Sequence, residues 1–187
     1  WDTYLDDCRK ILVLAAGRGR EVRHLKSRGM DVWATEPSLV AFKACEAVLK
    51  DEARLSHATF REFARQGPTI WAPSNVVPEF DAVIIGWGSL SHCFGTELRR
   101  DLFRQIARLC PKGPILASFW TQNAGNGQNR GRAYNAGCKI GHWTNAITHE
   151  DSDEHLHRVF APHLGVALAF DEAELNELAD IAHREVV

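Results

Sequence analysis

The sequence has little of what marks membrane, secreted or metal-scaffold proteins. No apolar run approaches the roughly 20 residues that a bilayer-spanning helix needs, so no membrane partner is expected. The five cysteines, Cys8, Cys45, Cys93, Cys110 and Cys138, are scattered and odd in number, and none forms a C-x-x-C pair. Neither a disulfide framework nor a cysteine zinc site is expected. No sign of charge dominates: Lys and Arg number 22, Asp and Glu 24, for a net charge of −2. That balance argues against a broad nucleic-acid or anionic-membrane surface. A basic leader is missing, since Trp1-Asp-Thr-Tyr-Leu-Asp-Asp7 is acidic, and with unpaired cysteines a cytoplasmic location is expected. There is one methionine, Met30, and residue 1 is Trp; sequence is therefore expected to be missing at one or both ends. No internal repeat or low-complexity tract interrupts residues 1–187, a length that suits one domain.

What is present is organised around Ile11-Leu-Val-Leu-Ala-Ala-Gly-Arg-Gly-Arg-Glu21. The apolar run Ile11–Ala16 reads as a strand buried on both faces. It breaks into Gly17-Arg18-Gly19, and the spacing of Val22 and Leu25 then reads as helix. Asp31–Thr35 alternates and predicts a second strand, followed by the acid Glu36. Strand, glycine turn, helix, strand and acid is the layout of a nucleotide-type cofactor site.

The same alternation continues. Ser38 is positioned to cap a helix running to about residue 52, with Leu39, Phe42, Val48 and Leu49 as its apolar stripe. A strand is expected over Leu55–Phe60 and an irregular insertion over 61–79, where Gly67-Pro68, Pro73 and Pro78 fall. Phe80–Gly86 predicts a strand, and Thr96–Leu109 a helix with Leu98, Leu102, Phe103, Ile106 and Leu109 on one face. Ile115–Phe119 is expected as a strand. Residues 121–150, rich in Gly and Asn, are expected as a long loop. Leu156–Phe160 is a further strand, and a helix capped by Asp171 leads to a last strand opening at Glu185–Val187. The N-terminal residues up to Arg9 could form a short helix. Alternating strands and helices imply an α/β, Rossmann-like, doubly wound and mostly parallel sheet with helices on both faces.

In this order the elements resemble those of the class I S-adenosylmethionine-dependent methyltransferases over almost the full chain. Ile11–Glu21 is similar to their glycine-rich first motif, and Glu36 falls where their acid grips the ribose hydroxyls. Glu79–His92 is similar to their fourth strand and its turn. Leu102–Leu116, with Pro111-Lys-Gly-Pro114, resembles their helix, L-x-P-G-G turn and fifth strand, a feature unusual in Rossmann-type dehydrogenases. The resemblance implies S-adenosylmethionine as cofactor and a small-molecule methyl acceptor. It implies contacts to the cofactor from Ala15, Gly17, Arg18, Gly19, Glu36, Pro37, Thr59, Phe60, Gly86, Trp87 and Gly88. Pro114 replaces the second glycine of the L-x-P-G-G turn, no clear acid follows the third strand, where Thr59 and Phe60 stand, and two positions of the first motif depart from the family. Ala15 stands where a glycine is usual. Val13 stands where an acid orders the loop and helps hold the methionine amino group.

Methyl transfer needs in-line approach to a sulfonium methyl, and positioning supplies much of the rate. A general base is required only for a protonated nucleophile. His92, just after the fourth strand, is the candidate, with His142 and His149 as others. Arg130 and Arg132 could receive a carboxylate or phosphate, or be solvated loop residues. His149, Asp151, Asp153, His155 and His157 match no defined metal spacing, so no metal is expected. Two other functions share the pattern. One is an NAD-dependent oxidoreductase, although Val22 occupies the third glycine position of G-x-G-x-x-G. The other is a non-catalytic cofactor-binding protein that kept the fold.

Overall fold

The computed structural model describes residues 2–71, 79–121, 157–161, 165–184 and 186. The most apolar stretch forms the centre of the molecule. β1 (Lys10–Leu14) lies between β2 (Asp31–Thr35) and β4 (Ala82–Ile85) in a five-stranded sheet of order β3-β2-β1-β4-β5. β3 is Leu55–Ser56 and β5 is Ile115–Ala117, and all four pairings are parallel. The register sets Leu12 beside Trp33 on one side and Val83 on the other. At the amino edge, Asp81 Oδ2 accepts the Arg9 and Lys10 N–H groups, each at 2.8 Å, and ties β1 to β4.

Alternate β1 residues feed two cores, because successive strand side chains point to opposite faces. Ile11 and Val13 pack with Val22 and Leu25 of α1 (Arg20–Ser27) and with Cys45 and Leu49 of α2 (Leu39–Leu49). Leu12 and Leu14 pack with Phe63 of α3 (Phe60–Gln66), Leu102 and Ile106 of α4 (Thr96–Leu109) and Leu178 of α5 (Glu172–Ile181). Helices cover both faces, as the alternation predicts. A smaller sheet, order β6-β8-β7, is built from β6 (Trp120–Thr121), β7 (His157–Ala161) and β8 (Gly165–Phe170). There β7 and β8 pair antiparallel, whereas β6 and β8 are parallel.

Several expectations are corrected. The strand read over Leu55–Phe60 stops at Ser56, because Thr59 caps a helix. Its hydroxyl accepts the Glu62 N–H while the Glu62 carboxylate accepts the Thr59 N–H, a complete capping box. The supposed insertion therefore opens as α3 and a 3-10 turn, Gly67–Trp71, whose Trp71 Nε1 donates to Ala34 O at 3.0 Å. Residues 72–78 lie outside the described residues. Leu39 is 55 % exposed and stands off the stripe, whereas Phe42, Val48 and Leu49 pack on the core as expected, joined by Cys45; α2 ends at Leu49, with a 3-10 turn, Glu52–Arg54, following. The N-terminal helix is a 3-10 turn, Asp2–Leu5. β8 was not expected at all. The loop over 121–150 lies outside the described residues apart from Thr121, and the last strand apart from Val186.

Asp171 caps α5 through the Glu174 N–H, as expected. Glu174 and Arg99 then form an ion pair whose two side chains are almost wholly buried, and Arg99 also donates to Cys93 O and Thr96 Oγ1. Removing one partner of such a pair costs about 3–5 kcal/mol. At the Pro111–Pro114 turn, a Cβ on Gly113 would lie 1.6 Å from Asp81 O, so only glycine fits where this turn crosses the entry to β4. No helix among the described residues is long and apolar enough to cross a membrane.

Candidate cofactor site

Strand order reverses between β1 and β4, and open α/β sheets bind ligands outside the carboxyl ends of strands at such a switch point. The residues singled out in the sequence leave the sheet at this edge.

After β1 the backbone turns through left-handed conformations at Ala15 (φ 54°), Gly17 (57°) and Gly19 (80°). Ala15 is strained there, since L-residues with a Cβ avoid positive φ; its N–H is held by Thr35 Oγ1 at 3.3 Å. Gly17 and Gly19 differ in their needs. A Cβ on Gly17 would meet nothing within 4 Å, whereas one on Gly19 would meet Cys45 Sγ at 3.2 Å and Val48 Cβ at 3.3 Å. Gly19 is thus fixed by packing on α2, and Gly17 leaves an open surface. Arg18, between them, is exposed. Burial pushes the Cys45 thiol up to about 11, with the Glu36 carboxylate adding to the shift.

Glu36 is 5 % exposed. Its Oε2 accepts the Gly17 N–H at 2.7 Å and its Oε1 the Ser38 N–H at 2.8 Å. One carboxylate thereby joins the turns after β1 and β2, and each oxygen retains acceptor capacity. Pro37, next to it, is exposed, and its carbonyl contacts His57 Nε2 at 2.8 Å. Thr59 and Phe60 follow β3. Thr59 is committed to the capping box, and Phe60 is half-buried against the α4-side core.

After β4, Trp87 (φ 54°) and Gly88 (φ 71°) are left-handed, and Trp87 is 66 % exposed with the Arg20 guanidinium 3.6 Å above its ring. The Gly88 N–H donates to Ser118 Oγ at 2.9 Å, and Ser91 Oγ accepts the Trp120 N–H at 2.8 Å. A 3-10 turn, Ser89–His92, ends on a half-buried His92. Gly86 is close-packed: its Cβ would lie 3.2 Å from Glu21 Oε1. Sequence reading missed Glu21, whose burial depends on this contact 65 residues away in the chain.

A parallel 3-2-1-4-5 sheet, a left-handed glycine turn after β1 and a buried acid after β2 make the architecture Rossmann-like, and the solved structures that align with it are methyltransferases. The chain has the class I S-adenosylmethionine-dependent methyltransferase fold.

Solved structures with this methyltransferase fold align over most of the chain. A SAM-dependent methyltransferase from Methanosarcina mazei aligns with a TM-score of 0.66 at 17% identity, covering 97% of this chain and 82% of that one. SAM-bound CalS10 from Micromonospora echinaspora, an amino pentose methyltransferase, aligns with a TM-score of 0.62 at 12% identity, covering 96% and 77%. The sugar N-methyltransferase KedS8 from Streptoalloteichus aligns with a TM-score of 0.50 at 22% identity over 68% of this chain. The chain spans about half of KedS8, 47% of its length. No protein-family model matches the sequence, and no curated protein matches it.

Among the described residues no three His, Cys, Asp or Glu side chains are grouped to hold a metal ion. Arg130, Arg132, His142, His149, Asp151, Asp153 and His155 lie outside the described residues, and His157 begins β7.

Proposed function

We propose that the protein is an S-adenosylmethionine-dependent methyltransferase acting on a small-molecule acceptor. The observation that carries this is the Glu36 carboxylate, buried at the switch point and oriented by the Gly17 and Ser38 N–H groups. An acceptor so held suits a ribose diol. The open surface over Gly17 and the start of α1 suit a carboxylate, which N–H groups and the helix dipole favour. Pro37, Phe60, Gly86 and the Gly88 backbone complete the rim that we assign to the cofactor, and Ala15, Arg18, Gly19 and Thr59 shape it.

The bound cofactor would supply an electrophilic methyl group. The residues around it would hold it still, exclude water and aim the acceptor. Trp87, exposed beside the β4 turn, is assigned to the acceptor side of the rim. His92 is assigned to proton removal for acceptors protonated at neutral pH. Two of the similar structures are named for sugar or amino pentose methylation, which makes amino sugars the first acceptor panel.

Val22 supports this reading over an NAD-dependent oxidoreductase, because it is fully buried in α1 where a dinucleotide fingerprint has its third glycine. Calorimetry with S-adenosylmethionine, S-adenosylhomocysteine and NAD tests the choice. Binding of both sulfur compounds and not of NAD is expected. NAD binding without either sulfur compound would overturn the proposal. Binding of both without turnover of any acceptor would favour a non-catalytic role.

A further inference from the structure

Two carboxylates are buried near the carboxyl edge of the sheet, and the proposed function uses only Glu36. The other is Glu21, in the first turn of α1 and 9 % exposed. A glutamate there gains from the helix dipole while staying in water, and glutamate is seldom buried without a partner. Glu21 instead turns toward β4, with Oε1 3.2 Å from the position of a Cβ on Gly86. Arg20 Nη2 donates to that same oxygen at 2.8 Å, and the Arg20 guanidinium lies over Trp87. Oε1 is thus fixed from two sides. Oε2 makes no hydrogen bond among the described residues, yet is not fully occluded from solvent. A carboxylate has been held in place at the crevice between the β1 and β4 turns with one oxygen left over.

The amino-acid end of S-adenosylmethionine is a zwitterion. Free N–H groups at the start of α1 suit its carboxylate, but its ammonium needs an acceptor of opposite charge, since an unpaired buried cation is costly. β1 cannot provide one: Val13 is 1 % exposed and packed in the α1–α2 core. We infer that Glu21 holds the α-ammonium group of the cofactor, so that the acid for this task has moved from β1 to the first turn of α1. Arg20, clasped between Glu21 and Trp87, is a positioning residue for it. This inference rests on the methyltransferase reading.

The test compares two ligands on the full chain by calorimetry: S-adenosylhomocysteine, and 5′-methylthioadenosine, which keeps the nucleoside and sulfur but lacks the amino-acid end. Glu21→Gln preserves size at Gly86. It is expected to weaken S-adenosylhomocysteine at least about tenfold, some 1.4 kcal/mol, and to leave methylthioadenosine unchanged. Glu36→Gln should weaken both. An unchanged ratio of the two affinities in Glu21→Gln, even with both reduced, would report a merely structural role and overturn the inference. If the Gln variant does not fold, Glu21→Asp keeps the charge but shortens its reach. Partial loss of the preference then supports the inference, and an unchanged preference overturns it. A wild-type protein that binds neither compound would instead remove the methyltransferase reading itself.

Discussion

Glu36 and Trp87 stand on opposite sides of the switch point, the first 5 % exposed and the second 66 %. The wall that carries Glu36 is made from backbone: two N–H groups converge on one carboxylate, and Gly19 is pressed onto Cys45. The wall that carries Trp87 is made from side chains: Ser118 and Ser91 hydroxyls accept backbone N–H groups, and an arginine lies on the indole. A backbone wall tolerates little change and fits a ligand that is always the same. A side-chain wall can be altered residue by residue and fits a ligand that differs between enzymes. On this comparison our proposal assigns the cofactor chiefly to the first wall and the acceptor to the second.

The largest effect should come from Glu36→Ala, which removes the shared acceptor. Cofactor affinity should fall at least about a hundredfold, roughly 2.8 kcal/mol, by calorimetry; near wild-type binding would break the contrast at its root. Gly19→Ala places a Cβ at φ 80° and 3.2 Å from Cys45 Sγ. Urea unfolding should show a loss of about 1–3 kcal/mol. The Cys45 thiol is held near 11 against an ordinary value of 9.0, so the folded state keeps a proton that the unfolded state sheds. Its contribution is whole below pH 9.0 and is lost as pH rises toward about 11. It amounts to a loss on the order of 3 kcal/mol, and Cys45→Ala should flatten the stability profile in that window.

On the other wall the effects should be smaller. Ser118→Ala leaves the Gly88 N–H without its acceptor and should cost about 1 kcal/mol by thermal unfolding. Trp87→Ala should change stability by less than about 0.5 kcal/mol while raising the acceptor KM and sparing cofactor affinity. Loss of cofactor affinity in Trp87→Ala would show that the division between walls is drawn in the wrong place.

The long periodic elements were legible in the sequence because their signals are local. β1 and β4 are apolar runs, α4 shows a strong 3.6-residue stripe, and Ser38 and Asp171 are ordinary caps. Glu36 was legible through its spacing from the glycine turn. α3 departs from the expected strand although Thr59-x-x-Glu62 spells its capping box, because large apolar residues at Leu55 and Phe60 bracket a segment short enough for one strand. β8 was missed although Gly165-Val-Ala-Leu-Ala-Phe170 is a short apolar run with a glycine at its start. Glu21 could not have been found, because nothing local distinguishes a glutamate buried against Gly86 from one in water.

The buried pair Arg99–Glu174 has a consequence for how the molecule is made. Its partners are 75 residues apart, and the chain emerges from its amino end. The Arg99 guanidinium takes Cys93 O and Thr96 Oγ1 from its own stretch of chain, whereas the Glu174 carboxylate comes from α5. Full packing of α4 at Arg99 therefore depends on α5, which joins a helix in the middle of the chain to one 75 residues further along it.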